Sequence, residues 1–578
     1  MSRSNTSSTS VATPTSSPSK PFQPPGSFPQ VYGNMPSGGF DTEWQDYYLV
    51  TDGLPSITFP LPRNFAGNIP TGPMVYQSQT SITQNIVSWT GLVDLIYVDQ
   101  PVGVGFSTSE SDGYINDEDD MGADFVGFLS NLVKIFPSLA TRPLILAGED
   151  YAGVYIPYIA KAIWSSSSPP VKLSKVAIGN GLLDTTISPH LSTISILESY
   201  PQLINYNQDI FQSFVTQQHQ CGFDLNLTYP QQDPLLVFET PSRRSSFWKS
   251  APASLNSSTT TLDRRSSHHA AFPDKRQSSS FIPSSTSNSY GCSLFDEMID
   301  YARNFSSPWT SGAFDLFDVS NVLKAQPIFD LGPYFNSFQV RNALHAPSSK
   351  NWVSTSVYPF GSTTNICEKI NYTTIFFADF VANASSQNVE IVLYSGGSNA
   401  IAHHTGLEIL IQNTIFGGIR GFTRKPSTPW TDDNGNIAGI VHQERGVVYA
   451  LFDGVGHMIP NFKPDSALVF FRDFIINSNA TGSITTDTKG DPTALGGENA
   501  NLADDVPRVE TELFVGTSAT QGTVFAEPAT VSAWASFLAT AKPVATSAMS
   551  SVPKLVPPTV LFFGAPSTLF VLILSFLT

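Results

Sequence analysis

Residues 144–160 read LILAGEDYAGVYIPYIA, and this stretch limits the possible folds more tightly than the rest of the chain. An aliphatic run enters the turn GEDYAG at 148–153, and an amphipathic helix leaves it. Gly148 and Ala152 stand two places to either side of Asp150. Strand and helix backbones crowd at such a turn, so only small neighbours fit. The pattern is that of a nucleophile elbow, a strained strand-to-helix turn that lifts one side chain off the end of a sheet. Here the lifted residue is Asp150.

The flanking sequence alternates strand and helix. The run DLIYV at 94–98 is a buried strand by its continuous apolar character, and it empties into a Gly/Pro loop, DQPVGVGFS at 99–107. A helix follows over 117–136, with Phe125, Phe128, Leu129, Leu132, Val133 and Phe136 on one face and acids in its first turn. Pro137 ends it. The elbow strand 144–147, its helix to about 164 and a strand at 171–178 complete a βαβ rhythm, which predicts an α/β fold with a mostly parallel sheet. Residues 185–325 break the rhythm and read as an inserted cap. Inside it, 240–290 is Ser/Thr-rich with dibasic pairs Arg243-Arg244, Arg264-Arg265 and Lys275-Arg276, a solvated loop with proteolytic excision as the weaker reading. Strands at 388–394 and 447–452 and a helix at 464–476 resume the pattern. Residues 1–45 are a low-complexity head, 479–555 a low-pattern Ser/Thr-rich stalk and 556–578 an apolar tail.

The 47 acidic residues outweigh 30 basic ones, and a net charge of −17 argues against nucleic-acid binding. Cys221, Cys292 and Cys367 allow one disulfide and leave one thiol over. Asn5, Asn226, Asn256, Asn304, Asn371, Asn383 and Asn479 each begin a glycosylation sequon, which points to the secretory pathway. The uncharged end, TVLFFGAPSTLFVLILSFLT at 559–578, follows a Ser/Thr/Ala-rich run and reads as a GPI-anchor signal, with a membrane helix as the alternative. Either would place the protein extracellularly or at the cell surface. Residues 1–40 hold no apolar signal-peptide region, so the expected start lies upstream of Met1. The adjacent pairs His268-His269 and His403-His404 lack metal-ligand spacing and read as surface or loop residues; neither metal nor cofactor is expected.

Together these segments resemble the serine carboxypeptidase family of α/β-hydrolases. DQPVGVGFS at 99–107 is the most specific match. GEDYAG at 148–153 with YIPY at 155–158, IGNGL at 178–182, VRNALHA at 340–346 and GHMIP at 456–460 follow in the family's order. The similarity covers about residues 47–477, although the family's strands before the oxyanion turn are largely missing, so part of the sheet should be absent.

The resemblance implies acyl transfer from peptide C-termini by a Ser-His-Asp triad. It places Asp150 at the nucleophile position, His457 at the base position and Asn399 at the acid position, within YSGGSN at 394–399. Only the His survives. It places Leu54 and Tyr151 at the oxyanion donors, with DGLPS at 52–56 replacing a Gly-rich turn, and Asp52 and Glu149 at the grip on the substrate carboxylate. Three carboxyls, Asp52, Glu149 and Asp150, would raise one another's pKa and repel an anionic C-terminus. It also implies a Cys221–Cys292 bond and leaves Cys367 unpaired, since Ile57 stands where the family has its partner. Loss of the nucleophile alone costs about a million-fold in turnover. The expectation is therefore a catalytically inactive homologue that binds peptide C-termini or another peptide ligand. Two alternatives stand beside it: a hydrolase using Asp150 as nucleophile, its third acid supplied elsewhere as by Asp453, and an active serine carboxypeptidase.

Overall fold

The computed structural model describes residues 71–540, with gaps of which 236–289 and 354–373 are the longest, and residues 570–575. Asp52, Leu54, Asn5, Asn256, Asn371, Cys367, the dibasic pairs and His268-His269 lie outside the described residues.

A short hairpin, β1 (Met74–Ser78) and β2 (Ser81–Gln84), precedes the main sheet. The sheet is built from β3 (Leu95–Asp99), β4 (Pro143–Glu149), β5 (Lys172–Gly179), β7 (Glu390–Gly396), β8 (Thr428–Thr431), β9 (Ile437–Glu444), β10 (Val447–Phe452) and β13 (Phe570–Ser575). Its eight strands run in the order β8-β9-β10-β7-β5-β4-β13-β3. From β10 to β3 every pairing is parallel; β8 and β9 close one edge antiparallel. This is the expected α/β sheet.

The crossovers are amphipathic helices. In α1 (Glu118–Ile135), Asp117 caps the start by accepting from Asp120 N at 3.0 Å, and three acids in the first turn oppose the helix dipole. Met121, Phe125 and Leu129 turn inward. The elbow helix α2 (Ala152–Ser165) buries Val154, Ile156, Ile159 and Ile163 against the same face, where α6 (Thr374–Ser386) and α7 (His404–Asn413) add Phe377, Phe380 and Leu410. On the opposite face α8 (Pro464–Phe470) and the turn after it stack Phe470, Phe471 and Phe474 on Trp89 and Trp430. Each fully buried side chain of this size contributes about 1.5–3 kcal/mol, so both faces are held largely by these stripes.

The cap has its own core. Helices α3 (Thr193–Ser199), α4 (Gln208–Gln220) and α5 (Leu294–Phe305) bury Ile196, Leu197, Phe211, Phe214, Met298 and Ile299, and a Cys221–Cys292 disulfide joins the end of α4 to the start of α5.

Three expectations differ from the structure. The segment read as a stalk is folded: residues 499–506 lie against the sheet side, where Asn499 N donates to Ser427 O at 3.0 Å, and residues 510–540 lie on the cap. There β11 (Glu512–Gly516) pairs in parallel with the cap strand β6 (Asn321–Leu323) and antiparallel with β12 (Gly522–Phe525), and α9 (Pro528–Thr540) drives Trp534, 1% exposed, into the cap core. The sequence signal is weak because few of its residues, chiefly Leu513 and Trp534, are buried. The tail read as a membrane or GPI element supplies β13, parallel to both β4 and β3. A buried parallel strand and a bilayer both demand apolar residues, so composition alone cannot separate them. Among the described residues no helix is long and apolar enough to cross a membrane. Finally, His403 and His404 are buried rather than on the surface: His403 accepts from Thr405 N at the start of α7, and His404 Nδ1 lies 2.9 Å from Glu408.

Candidate active site

The elbow forms as the sequence requires. Asp150 sits at φ +57°, a conformation that costs a non-glycine residue on the order of 1–3 kcal/mol and that the surroundings impose. Its N–H donates to Gly179 O at 3.1 Å, and its own carbonyl accepts from Gly153 N and Leu182 N at 3.0 and 2.9 Å. A Cβ on Gly153 would stand 2.7 Å from Leu182 N, which explains the small residue there. The bonds to Gly179 and Leu182 tie the ends of β4 and β5 together and aim Asp150 toward the loop after β10.

That loop carries His457, whose side chain is 7% exposed and whose Nε2 lies 3.3 Å from Asp150 Oδ1. Its backbone N–H donates to Phe317 O at 2.7 Å, and the Phe317 ring meets the imidazole edge-on at 4.9 Å. Asn399, fully buried after β7, stands 3.1 Å from His457 Nδ1 through its amide nitrogen. The three triad positions thus converge as Asp150, His457 and Asn399.

The orientation of the Asn399 amide follows from its partners. Its Oδ1 accepts from Ile401 N and Ala402 N at 3.2 and 3.4 Å, and its Nδ2 donates to Asn180 Oδ1 and Ala402 O, each at 3.1 Å. An amide nitrogen accepts nothing, so His457 Nδ1 cannot donate to it. In the neutral ring the proton therefore sits on Nε2, facing Asp150. A triad base needs that Nε2 lone pair free. With this proton placement Nε2 presents no free lone pair to residue 150.

Asn180 went unnoticed as a site residue. It is fully buried at φ +44°, its Oδ1 accepts from Gly396 N at 3.0 Å as well as from Asn399, and its Nδ2 donates to the carbonyl of His457 at 2.5 Å. It lies within IGNGL at 178–182, but only the fold reveals that it bridges two triad positions. Residues 315–319 were missed as well. Leu316 O accepts from Ala400 N and Ile401 N, and Val319 N donates to Ser398 O at 2.9 Å, so this cap segment braces the Asn399 turn as well as the His457 loop.

Glu149 ends β4 with Oε1 enclosed and without a hydrogen-bond partner among the described residues. Burial, then the charge of Asp150, pushes its carboxyl up to about 8. It therefore holds its proton at neutral pH, chiefly because it is buried rather than because carboxyls crowd it. Tyr151 starts α2, and its phenol donates to Glu118 Oε1 at 3.1 Å. Asp453, weighed as a substitute acid, is exposed beyond β10, while Asn399 occupies His457 Nδ1.

A family model described as serine carboxypeptidase matches residues 68–477. The chain belongs to the serine carboxypeptidase family. It is 27% identical over 423 residues to a carboxypeptidase Y homolog of Arthroderma benhamiae, covering 70% of this chain and 80% of that one. It is likewise 27% identical over 422 residues to a pheromone-processing carboxypeptidase of Schizosaccharomyces japonicus, covering 70% and 69%. Among solved structures it is similar to Kex1(Δ)p, a prohormone-processing carboxypeptidase from Saccharomyces cerevisiae, at a TM-score of 0.48 and 22% identity over 74% of this chain and 82% of that one. The family match begins at residue 68, so Asp52 and Leu54 precede it, and it ends before the segment docked on the cap.

Proposed function

We propose that this serine carboxypeptidase family member binds a peptide ligand without cleaving it. The observation that carries the reading is the Asn399 amide on His457 Nδ1, which leaves the Nε2 proton pointing at a carboxylate where the chemistry needs a hydroxyl. Nucleophile and base are disabled by two separate substitutions, and Glu149 retains an enclosed carboxyl at the position where the family grips the peptide C-terminus. The use of Asp150 as a nucleophile is disfavoured by the same bond, since hydrolysis of its ester would need His457 to take a proton from water.

The Cys221–Cys292 bond and the exposed sequon residues Asn226, Asn304 and Asn383 support a secretory route and an extracellular or cell-surface site of action. Anchoring through the C-terminal tail would require residues 570–575 to leave the sheet.

The test pairs hydrolysis with binding on the full chain. N-blocked dipeptides at acid pH should release no free amino acid. A library of N-blocked peptides should yield a retained species whose binding is lost in Glu149→Ala. Steady release of amino acids by the natural protein, abolished in His457→Ala, would overturn the reading.

A further inference from the structure

The segment that lies beyond the family match bonds a stretch of the cap that in turn bonds the site. Phe514 N of β11 donates to Ser320 O at 2.8 Å, while residues 316–319 bond the Asn399 turn and the His457 backbone.

Carboxylates converge on this junction. Asp315 and Asp318 lead into β6, Glu510 and Glu512 begin the docked segment, and Asp453 follows β10. Glu510 feels the charges of Asp453, Asp318 and Glu512, opposed by Lys463. Asp318 feels Asp315 and is bonded by Ser320, and Asp315 in turn faces His457. The Tyr200 hydroxyl lies among Glu510, Asp318 and Asp453. Five acids against one lysine is a poor way to hold two surfaces together while all are ionised. The backbone nevertheless seats Glu510 firmly: its N–H donates to Ser199 O at 2.7 Å, and its carbonyl accepts from Gln202 at 2.5 Å.

We propose that residues 510–540 are an acid-held clasp, docked on the cap while this carboxyl cluster carries protons and loosening toward neutral pH, so that support for the His457 loop varies with pH. Burial, then neighbouring groups, lifts Asp318 and Glu510 each to about 7 in the docked state. A carboxyl lifted in this way binds its proton more tightly docked than free. Docking is therefore complete below the ordinary carboxyl range and is lost as pH rises through about 7.

Amide hydrogen exchange on the full chain tests this, with β11 protection expressed relative to β5 and β7 and corrected for the intrinsic pH dependence of exchange. Between pH 5 and pH 8 the ratio should fall by at least ~10-fold. One carboxyl lifted from the ordinary range to about 7 would change the docking equilibrium by about a hundredfold over this window, and the threshold is set tenfold lower to allow for solvent screening. The double variant Glu510→Gln, Asp318→Asn should hold its ratio flat. A flat ratio in the natural protein, or an unchanged fall in the double variant, overturns the proposal. If that variant does not fold by circular dichroism, Lys463→Met decides: removing the cation that lowers the Glu510 carboxyl should enlarge the fall in the ratio between pH 5 and pH 8, and an unchanged fall overturns the proposal.

Discussion

Restoring the hydroxyl at the elbow should not by itself restore a base. In Asp150→Ser the new Oγ would meet His457 Nε2 while Nδ1 still faces the Asn399 amide nitrogen, which cannot accept from it, so Nε2 keeps its proton and donates rather than accepts. An amide at the acid position of such a triad costs about 10⁴ in turnover through this tautomer. Adding Asn399→Asp frees Nε2, but the structure sets a penalty. The carboxylate would face Asn180 Oδ1 and Ala402 O, two acceptors now served by the amide N–H groups. Asn180 cannot simply turn over, because Gly396 N and the His457 carbonyl fix its orientation. A buried acceptor left facing acceptors costs roughly 1–3 kcal/mol, or about ten- to hundred-fold. The double variant should therefore exceed the single one by about 10²–10³ rather than 10⁴. Release of the C-terminal residue from N-blocked dipeptides reads the rates, and ¹⁵N chemical shifts of His457 read the tautomer directly. Equal rates in the single and double variants, or a natural protein whose Nδ1 carries the proton, would refute the reasoning.

Other consequences follow from single contacts. Glu149→Gln removes a carboxyl lifted to about 8; since the folded state of the natural protein loses stability as pH rises from the ordinary carboxyl range through about 8, the variant should melt higher at pH 8.5 and nearly the same at pH 4, checked by thermal scans. Replacing Cys221 and Cys292 by Ala opens a loop of sequence separation 71 and should cost the cap about 4 kcal/mol, seen as an earlier, separate cap transition in urea. Gly153→Ala places a Cβ 2.7 Å from Leu182 N and should destabilise the elbow by about 1–3 kcal/mol, measured as a lower urea midpoint. Deleting residues 553–578 removes β13 and with it five register pairs to each of β3 and β4, so soluble yield and cooperative unfolding should be lost. An unchanged melting temperature after that deletion would refute the strand placement.

The elements nearest the chemistry were legible because each is specified locally. The run LILAGE ends in a turn that only small residues permit, so β4, the elbow and α2 follow within a residue or two of the reading. Acids at the start of α1 and the aromatic stripe along it predict that helix almost to its ends. The pairing of Cys221 with Cys292 was likewise expected. The docked segment was not legible, because β11 and α9 bury only a few side chains, and the strand that β11 pairs with, β6, lies nearly 200 residues away.

By itself, then, the sequence determined the α/β rhythm, the order of the site segments and which side chains stand at 150, 399 and 457, since each depends on residue identity at short range. Only the tertiary structure decided how those side chains meet. The His457 tautomer is set by Asn399, whose orientation is set in turn by Ala402 and by Asn180 on another strand, and hydrogen-bond direction across such a network has no counterpart in periodicity or composition. The same holds for the apolar tail. Its composition suits a sheet interior and a bilayer equally, and what distinguishes them is the presence of two unpaired strand edges, β3 and β4, that only the folded chain brings within reach.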